Sequence, residues 1–228
     1  MSTKARDGYH VQMLESVQLA SSPAGSLARL LEARRVGLVR TRSAETALAL
    51  GRALLDAGLE AIEVSFVTPD AAHVIAALVA EGRGIVGAGT VIDAERARAA
   101  SSAGAAFLVS PGQPAGMVER AHEAGATAIL GGLTPTEILS ALAMGADVVK
   151  VFPIRAVGGP SYLRDVLAPM PDTRFLVSGG VTLANHREYL AAGASLCTLG
   201  SGLVPENLLI AGDWPAVTAH VRAALAAS

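Results

Sequence analysis

The stretch ALAMGADVVKVFP, residues 141–153, decides the fold. It starts as the apolar end of a helix, closes on Met144-Gly145 and passes within three residues into a valine-rich run stopped by Pro153. Glycine after a helix takes the left-handed conformation of a C-terminal cap, and a link this short is usual between a helix and the next strand. A short, nearly unbroken apolar strand belongs in a parallel sheet covered on both faces. The same unit recurs along the chain: LLDAG precedes AIEVSF, ASSAG precedes AFLVS, AHEAG precedes ATAIL and LAAG precedes SLCTL. Apolar strands alternating with amphipathic helices imply a parallel sheet built from right-handed crossovers.

Counting outward from that unit gives eight strands, predicted over 36–40, 61–66, 84–89, 106–110, 126–131, 147–152, 174–179 and 195–200. Eight βα units fit a single (β/α)8 TIM barrel of the α/β class. A doubly wound open sheet uses fewer strands, and no linker or second half is visible. An extra N-terminal helix at about 25–35 is placed to close the barrel floor. The barrel is expected over 21–228, after a poorly ordered leader over 1–20. That leader, beginning MSTKARDGYHVQMLES, carries charges throughout and has no apolar core of a signal peptide.

Composition narrows the function classes. Hydrophobic residues make up 51% of the 228 and charged residues 17%, which is a chain that can bury a large core rather than a disordered one. The formal net charge of -2 argues against nucleic acid or an anionic membrane as the partner. No apolar run approaches the roughly 18 residues of a membrane helix. A single cysteine, Cys197, excludes an intrachain disulfide and suits a reducing compartment, so a cytoplasmic protein is expected.

In a parallel barrel, chemistry sits at the carboxyl ends of the strands. The strands carry three ionisable groups that stand out there: Arg40 ending strand 1, Glu63 inside strand 2 and Lys150 inside strand 6. The chain has only two lysines, Lys4 and Lys150. A charge inside a buried strand is costly unless it is paired or neutralised. Lys150 therefore has two readings: a structural lysine paired with a carboxylate, or a Schiff-base lysine whose neutral amine attacks a carbonyl. Glu63 is either the partner that neutralises it or a general acid/base, and one carboxylate can do both. Arg40 is structural or a bidentate clamp on a carboxylate. After strand 7, Ser178-Gly179-Gly180 reads as either a tight turn or an anion cradle, with Thr182 opening the next helix. Gly200-Ser201 after strand 8 would complete that cradle.

Other patterns lead nowhere. GAGTVI at 87–92 begins like a dinucleotide-binding loop, but Ile92 occupies the position of its third glycine. The histidines His10, His73, His122, His186 and His220 fall in the leader or in helical segments, so neither a metal nor a cofactor is expected. Cys197 reads as a small core residue. Thr134-Pro135-Thr136-Glu137 reads as a helix start with a reciprocal cap.

The segments AIEVSFVTPDA, IVGAGTV, FLVSPG, TPTEI, VVKVFP, GGPSYLRDVL, SGGVTLANHREYLAAGA and LGSGLVP resemble, in order and spacing, the KDPG/KHG aldolase family. These are class I aldolases of 2-keto-3-deoxy-6-phospho-sugar acids and of 4-hydroxy-2-oxoglutarate. The resemblance covers nearly all of the chain from about residue 25. It implies a homotrimer of (β/α)8 barrels and an imine mechanism without a metal. Carried over by position, it implies Lys150 as the Schiff-base lysine, Glu63 as the catalytic glutamate, Thr90 and Pro111 at the pyruvyl end, and Gly179, Gly180 and Ser201 at a phosphate. Val67 stands where many members carry the arginine that binds the substrate carboxylate. A branch similar to the 2-keto-3-deoxy-6-phosphogalactonate aldolases lacks that arginine too and has one at the end of strand 1, as Arg40 is here. Ser178 replaces a threonine of gluconate-type members, which leaves the C4 epimer open. The expected activity is cleavage of a phosphorylated keto-deoxy sugar acid to pyruvate and glyceraldehyde 3-phosphate. The alternatives are 4-hydroxy-2-oxoglutarate cleavage, a metal-independent phosphosugar isomerase or epimerase, and a non-catalytic phosphosugar-binding barrel.

Overall fold

A computed structural model describes residues 23–200 and 202–228. The expected leader, residues 1–20, and Ser201 lie outside the described residues. The order is α1 (Pro23–Ala33), β1 (Arg35–Val39), α2 (Ala44–Asp56), β2 (Ala61–Ser65), α3 (Ala71–Ala80), β3 (Ile85–Gly89), α4 (Ala94–Ser102), β4 (Phe107–Val109), α5 (Met117–Glu123) and β5 (Thr127–Gly131). There follow α6 (Pro135–Ala143), β6 (Val148–Val151), a 3-10 turn (Ile154–Val157), α7 (Pro160–Leu167), β7 (Phe175–Val177), α8 (His186–Ala191), β8 (Leu196–Leu199), α9 (Glu206–Ala211) and α10 (Trp214–Ala226). All eight predicted strands are present, with bounds within two residues of those read from the sequence. They pair in parallel and in sequence order, and β8 returns to β1 through Arg35↔Cys197, Val36↔Thr198 and Gly37↔Leu199 to close the barrel.

The strands are apolar because both faces are covered. β2, β3 and β5 are buried at every position. One set of side chains, including Val39, Val64, Leu108, Leu130, Val149 and Val177, packs outward against the helices. Cys197 belongs to this set, as the sequence reading expects, and burial pushes its thiol up to about 12. The other set, including Val36, Ala61, Ile85, Phe107, Ile129 and Leu176, fills the barrel interior. Helix α1 caps that interior set: Leu30 is fully buried within it, and Ser26 Oγ lies 2.7 Å from Thr127 Oγ1 at the start of β5. The floor is thus sealed by the predicted extra helix, with the Ser26–Thr127 pair at that end and Glu63, Ser65, Lys150 and Thr198 at the carboxyl end.

Local sequence sets the helix ends. Met144 is followed by Gly145 in left-handed backbone, as the opening stretch predicts. Thr134 and Glu137 form the reciprocal cap of α6: the Glu137 backbone N–H donates to Thr134 Oγ1 at 3.3 Å, and Thr134 N–H donates to Glu137 Oε2 at 2.7 Å.

Candidate active site

Strand periodicity sends every second side chain inward. On β2 this brings Glu63 and then Ser65 into the barrel, and both are about 1% exposed. On β6 it brings Lys150 in above Val148, and on β8 Thr198 above Leu196. Above the apolar floor these groups open into a cavity of about 460 Å³ at the carboxyl ends of the strands. Arg40, Glu63, Thr90, Pro111, Lys150, Ser178, Gly179, Gly180 and Gly200 all line it, so nine of the ten sequence-derived site residues meet at one place. The tenth, Ser201, lies outside the described residues.

Lys150 Nζ stands 4.0 Å from Glu63 Oε1. The lysine is 7% exposed and lies over the face of Phe152, 5.6 Å from the ring centre. At 4.0 Å the two groups attract each other but do not share the short hydrogen bond of a closed ion pair. The other carboxylate oxygen, Glu63 Oε2, is buried without a hydrogen-bond partner among the described residues, as is Thr198 Oγ1. Unsatisfied buried polar atoms are uncommon and mark places where a ligand or water completes the bonding. The backbone makes room for the carboxylate. A Cβ on Gly89 would lie 1.9 Å from Glu63 Oε1, so only glycine fits beside it.

Thr90, the next residue, has φ 60°, a left-handed backbone that β-branched residues rarely adopt. Two contacts hold it there: its Oγ1 is 2.9 Å from Ser65 Oγ, and its carbonyl accepts from Arg96 Nη1 at 3.1 Å. Across the mouth, Val67 is 61% exposed and shares the cavity with Arg40. Thr41, next to Arg40, donates its N–H to Thr68 Oγ1 at 3.2 Å, which ties the end of β1 to the loop that carries Val67.

The turn after β7 differs from its expected form. Thr182 does not open a helix: α8 begins four residues later at His186, and Asn185 Oδ1 accepts the Thr182 N–H at 2.8 Å. An asparagine three residues after Thr182 caps the turn itself, so the cradle is a turn of exposed backbone rather than a helix end. Gly179 and Gly180 both have positive φ, 92° and 87°. Asn185 Nδ2 also donates to the Gly180 carbonyl at 3.0 Å. Among the described residues, no acceptor takes the N–H of Gly179, Gly180 or Val181.

Sequence reasoning missed Ser65, Phe152, Arg155 and Thr198, which also line the cavity. Ser65 and Thr198 were findable, each two residues from a chosen position on its strand. Arg155 lies beyond β6 in the 3-10 turn, where no strand period reaches. The described histidines stay out of the cavity, as expected from their helical segments.

A buried primary amine facing one carboxylate inside the carboxyl end of a closed parallel barrel is the arrangement that a (β/α)8 lyase working through a lysine requires. The sequence pattern of KDPG and KHG aldolase matches residues 27–220. The chain belongs to that family. It is 39% identical over 187 residues to the 2-dehydro-3-deoxy-phosphogluconate aldolase of Treponema pallidum, covering 82% of this chain and 89% of that one. It is 35% identical over 191 residues to the KHG/KDPG aldolase of Escherichia coli K12, covering 83% and 90%. The KDPG aldolase of Legionella pneumophila, solved with pyruvate captured as a covalent carbinolamine, superimposes with a TM-score of 0.77. It is 28% identical, over 89% of this chain and 98% of that one.

Proposed function

We propose that the chain is a class I aldolase that cleaves a 2-keto-3-deoxy-6-phospho-sugar acid to pyruvate and glyceraldehyde 3-phosphate, with Lys150 as the imine-forming amine. The observation that carries the reading is the buried Lys150 amine, 4.0 Å from a Glu63 carboxylate with one unpartnered oxygen, in a cavity walled by the strand ends. Lys150 attacks the C2 ketone, and loss of water gives the imine. Protonated, the imine accepts the electron pair of the C3–C4 bond. Glu63, through one bridging water, takes the proton of the C4 hydroxyl as that bond breaks and the aldehyde departs. The enamine of pyruvate then takes a proton at C3, and water releases pyruvate from the lysine. Dividing one difficult cleavage into imine steps is the gain of covalent catalysis, and a positioned carboxylate adds general acid/base help.

The remaining assignments follow the family resemblance. Arg40 holds the substrate carboxylate at the mouth left open by Val67, and Thr90 and Pro111 line the pyruvyl end. Ser178, Gly179, Gly180 and Gly200, with Ser201, hold the phosphate; the unpartnered amides of Gly179 and Gly180 support this. The catalytic unit spans 21–228, and the protein acts in the cytoplasm. No helix among the described residues is long and apolar enough to cross a membrane.

Borohydride reduction in the presence of pyruvate, followed by intact mass and peptide mapping, tests the proposal. A pyruvate-sized adduct on Lys150 is expected. A folded protein with no adduct overturns the imine mechanism and returns Lys150 to a structural pair. The 4-hydroxy-2-oxoglutarate activity in the names of the family and of the E. coli relative is a second reading. It fits a cavity with an arginine at each of two walls, and comparing the two substrates decides between them.

A further inference from the structure

Three cations line the cavity among the described residues, Arg40, Lys150 and Arg155, against one carboxylate, Glu63. Lys150 faces Glu63, whereas neither arginine forms an ion pair with a described residue. Arg40 sits at the end of β1. Arg155 sits in the 3-10 turn after β6, a different wall of the cavity. The family's matching segments gave it no role.

Its position is fixed by the proposed anion cradle itself. Ile154 N–H donates to the Ser178 carbonyl at 2.9 Å, and Arg155 N–H donates to the Gly179 carbonyl at 3.2 Å. The side chain then runs across Gly180. A Cβ on Gly180 would lie 2.7 Å from both Cβ and Cδ of Arg155 and 3.0 Å from its Nε. The stem of the arginine thus occupies the space of the side chain that Gly180 lacks. Any other residue at 180 would have to displace it, besides adopting a φ of 87°. The Gly179 carbonyl is bonded to Arg155 N–H and the Gly180 carbonyl to Asn185, and the residues of this turn whose N–H groups lack an acceptor line the same cavity as Arg155. Backbone donors beside an unpaired arginine fork form a site for a tetrahedral dianion, because guanidinium meets phosphate in bidentate fashion.

We propose that Arg155 is a specificity-determining residue that clamps the terminal phosphate of the substrate from above Gly180 and so favours phosphorylated over unphosphorylated keto-acids. The inference rests on the aldolase reading for its substrate. The two are separable because pyruvate, which carries no phosphate, reports on Lys150 alone.

Arg155→Gln and Arg155→Lys, assayed with the phosphorylated sugar acid and with 4-hydroxy-2-oxoglutarate, test it. Loss of one charge-assisted contact predicts a fall in kcat/KM for the phosphorylated substrate of about tenfold to a hundredfold in Arg155→Gln, carried by KM. The preference over the unphosphorylated substrate shrinks with it, Arg155→Lys recovers part of the loss, and pyruvate trapping at Lys150 proceeds as in the parent protein. Equal losses on both substrates mean a merely structural role, or recognition of any distal anion, and overturn the proposal, as does an unchanged preference. Glycerol 3-phosphate titrated calorimetrically into the parent protein and Arg155→Gln reads the clamp without turnover. Weaker binding in the variant is expected, and equal binding overturns the proposal. If pyruvate traps in neither protein, the aldolase reading fails, and the titration still decides the role of Arg155.

Discussion

Lys150 shows how much one side chain commits a sequence to. A buried cation facing a single carboxylate at 4.0 Å is a poor stabilising device, since two desolvated charges seldom gain more than they lose. As an amine within reach of a carbonyl carbon, it has a use that arginine cannot serve. Lys150→Arg keeps the charge and is expected to abolish turnover and pyruvate trapping together; substantial activity in that variant would sink the imine mechanism. Glu63→Gln is expected to fold and to turn over at least about a hundredfold more slowly, the lower end of general acid/base help. Parental rates would reduce Glu63 to a charge partner. Both residues were legible in the sequence because an ionisable group inside an apolar strand is conspicuous. Arg155 was not, because an arginine in a connecting segment looks like any solvated surface residue. Only the backbone bonds from the 3-10 turn to Ser178 and Gly179 bring it over the glycine pair.

The elements were legible for a different reason. A parallel barrel strand is largely apolar, and six of the eight helices before the strands are followed by a glycine in left-handed backbone, so the alternation is written in composition. The same uniformity hides which strand residues face inward. β2 is buried at all five positions, and its pattern does not by itself separate Glu63 and Ser65 from their outward neighbours. The turn after β7 was misjudged because Thr182 resembles a helix cap, whereas Asn185 captures its N–H within the loop. β3 carries a prediction of its own. In Gly89→Ala the new Cβ would meet Glu63 Oε1 at 1.9 Å and the Cδ and Cγ carbons at 2.6 Å, so the carboxylate has to swing away from Lys150. The variant should lose about 1–3 kcal/mol of stability through overpacking. It should also lose activity to the extent of Glu63→Gln. Parental turnover with an unchanged melting temperature would show that Glu63 is not held where the structure has it.

At the scale of the whole molecule, the barrel leaves apolar surface at and around its mouth. Val67 is 61% exposed, Ile92 50% and Phe152 46%. Val67 and Phe152 line the cavity itself, so they belong to the entrance, and the homotrimer is what the family resemblance implies. Sedimentation velocity on the full chain is expected to give a mass three times 23.1 kDa. A concentration-independent monomer would remove the trimer.

Helix α1 plugs the floor with Leu30, and Ser228 at the other chain end is also at that floor, where its Oγ accepts from Arg35 Nη1 at the start of β1. Both ends of the described chain therefore emerge on the side opposite the catalytic mouth. A tether attached at Ser228 would hold the protein to a bead or a scaffold with its entrance turned outward, so immobilisation there leaves the path of small molecules into the barrel clear.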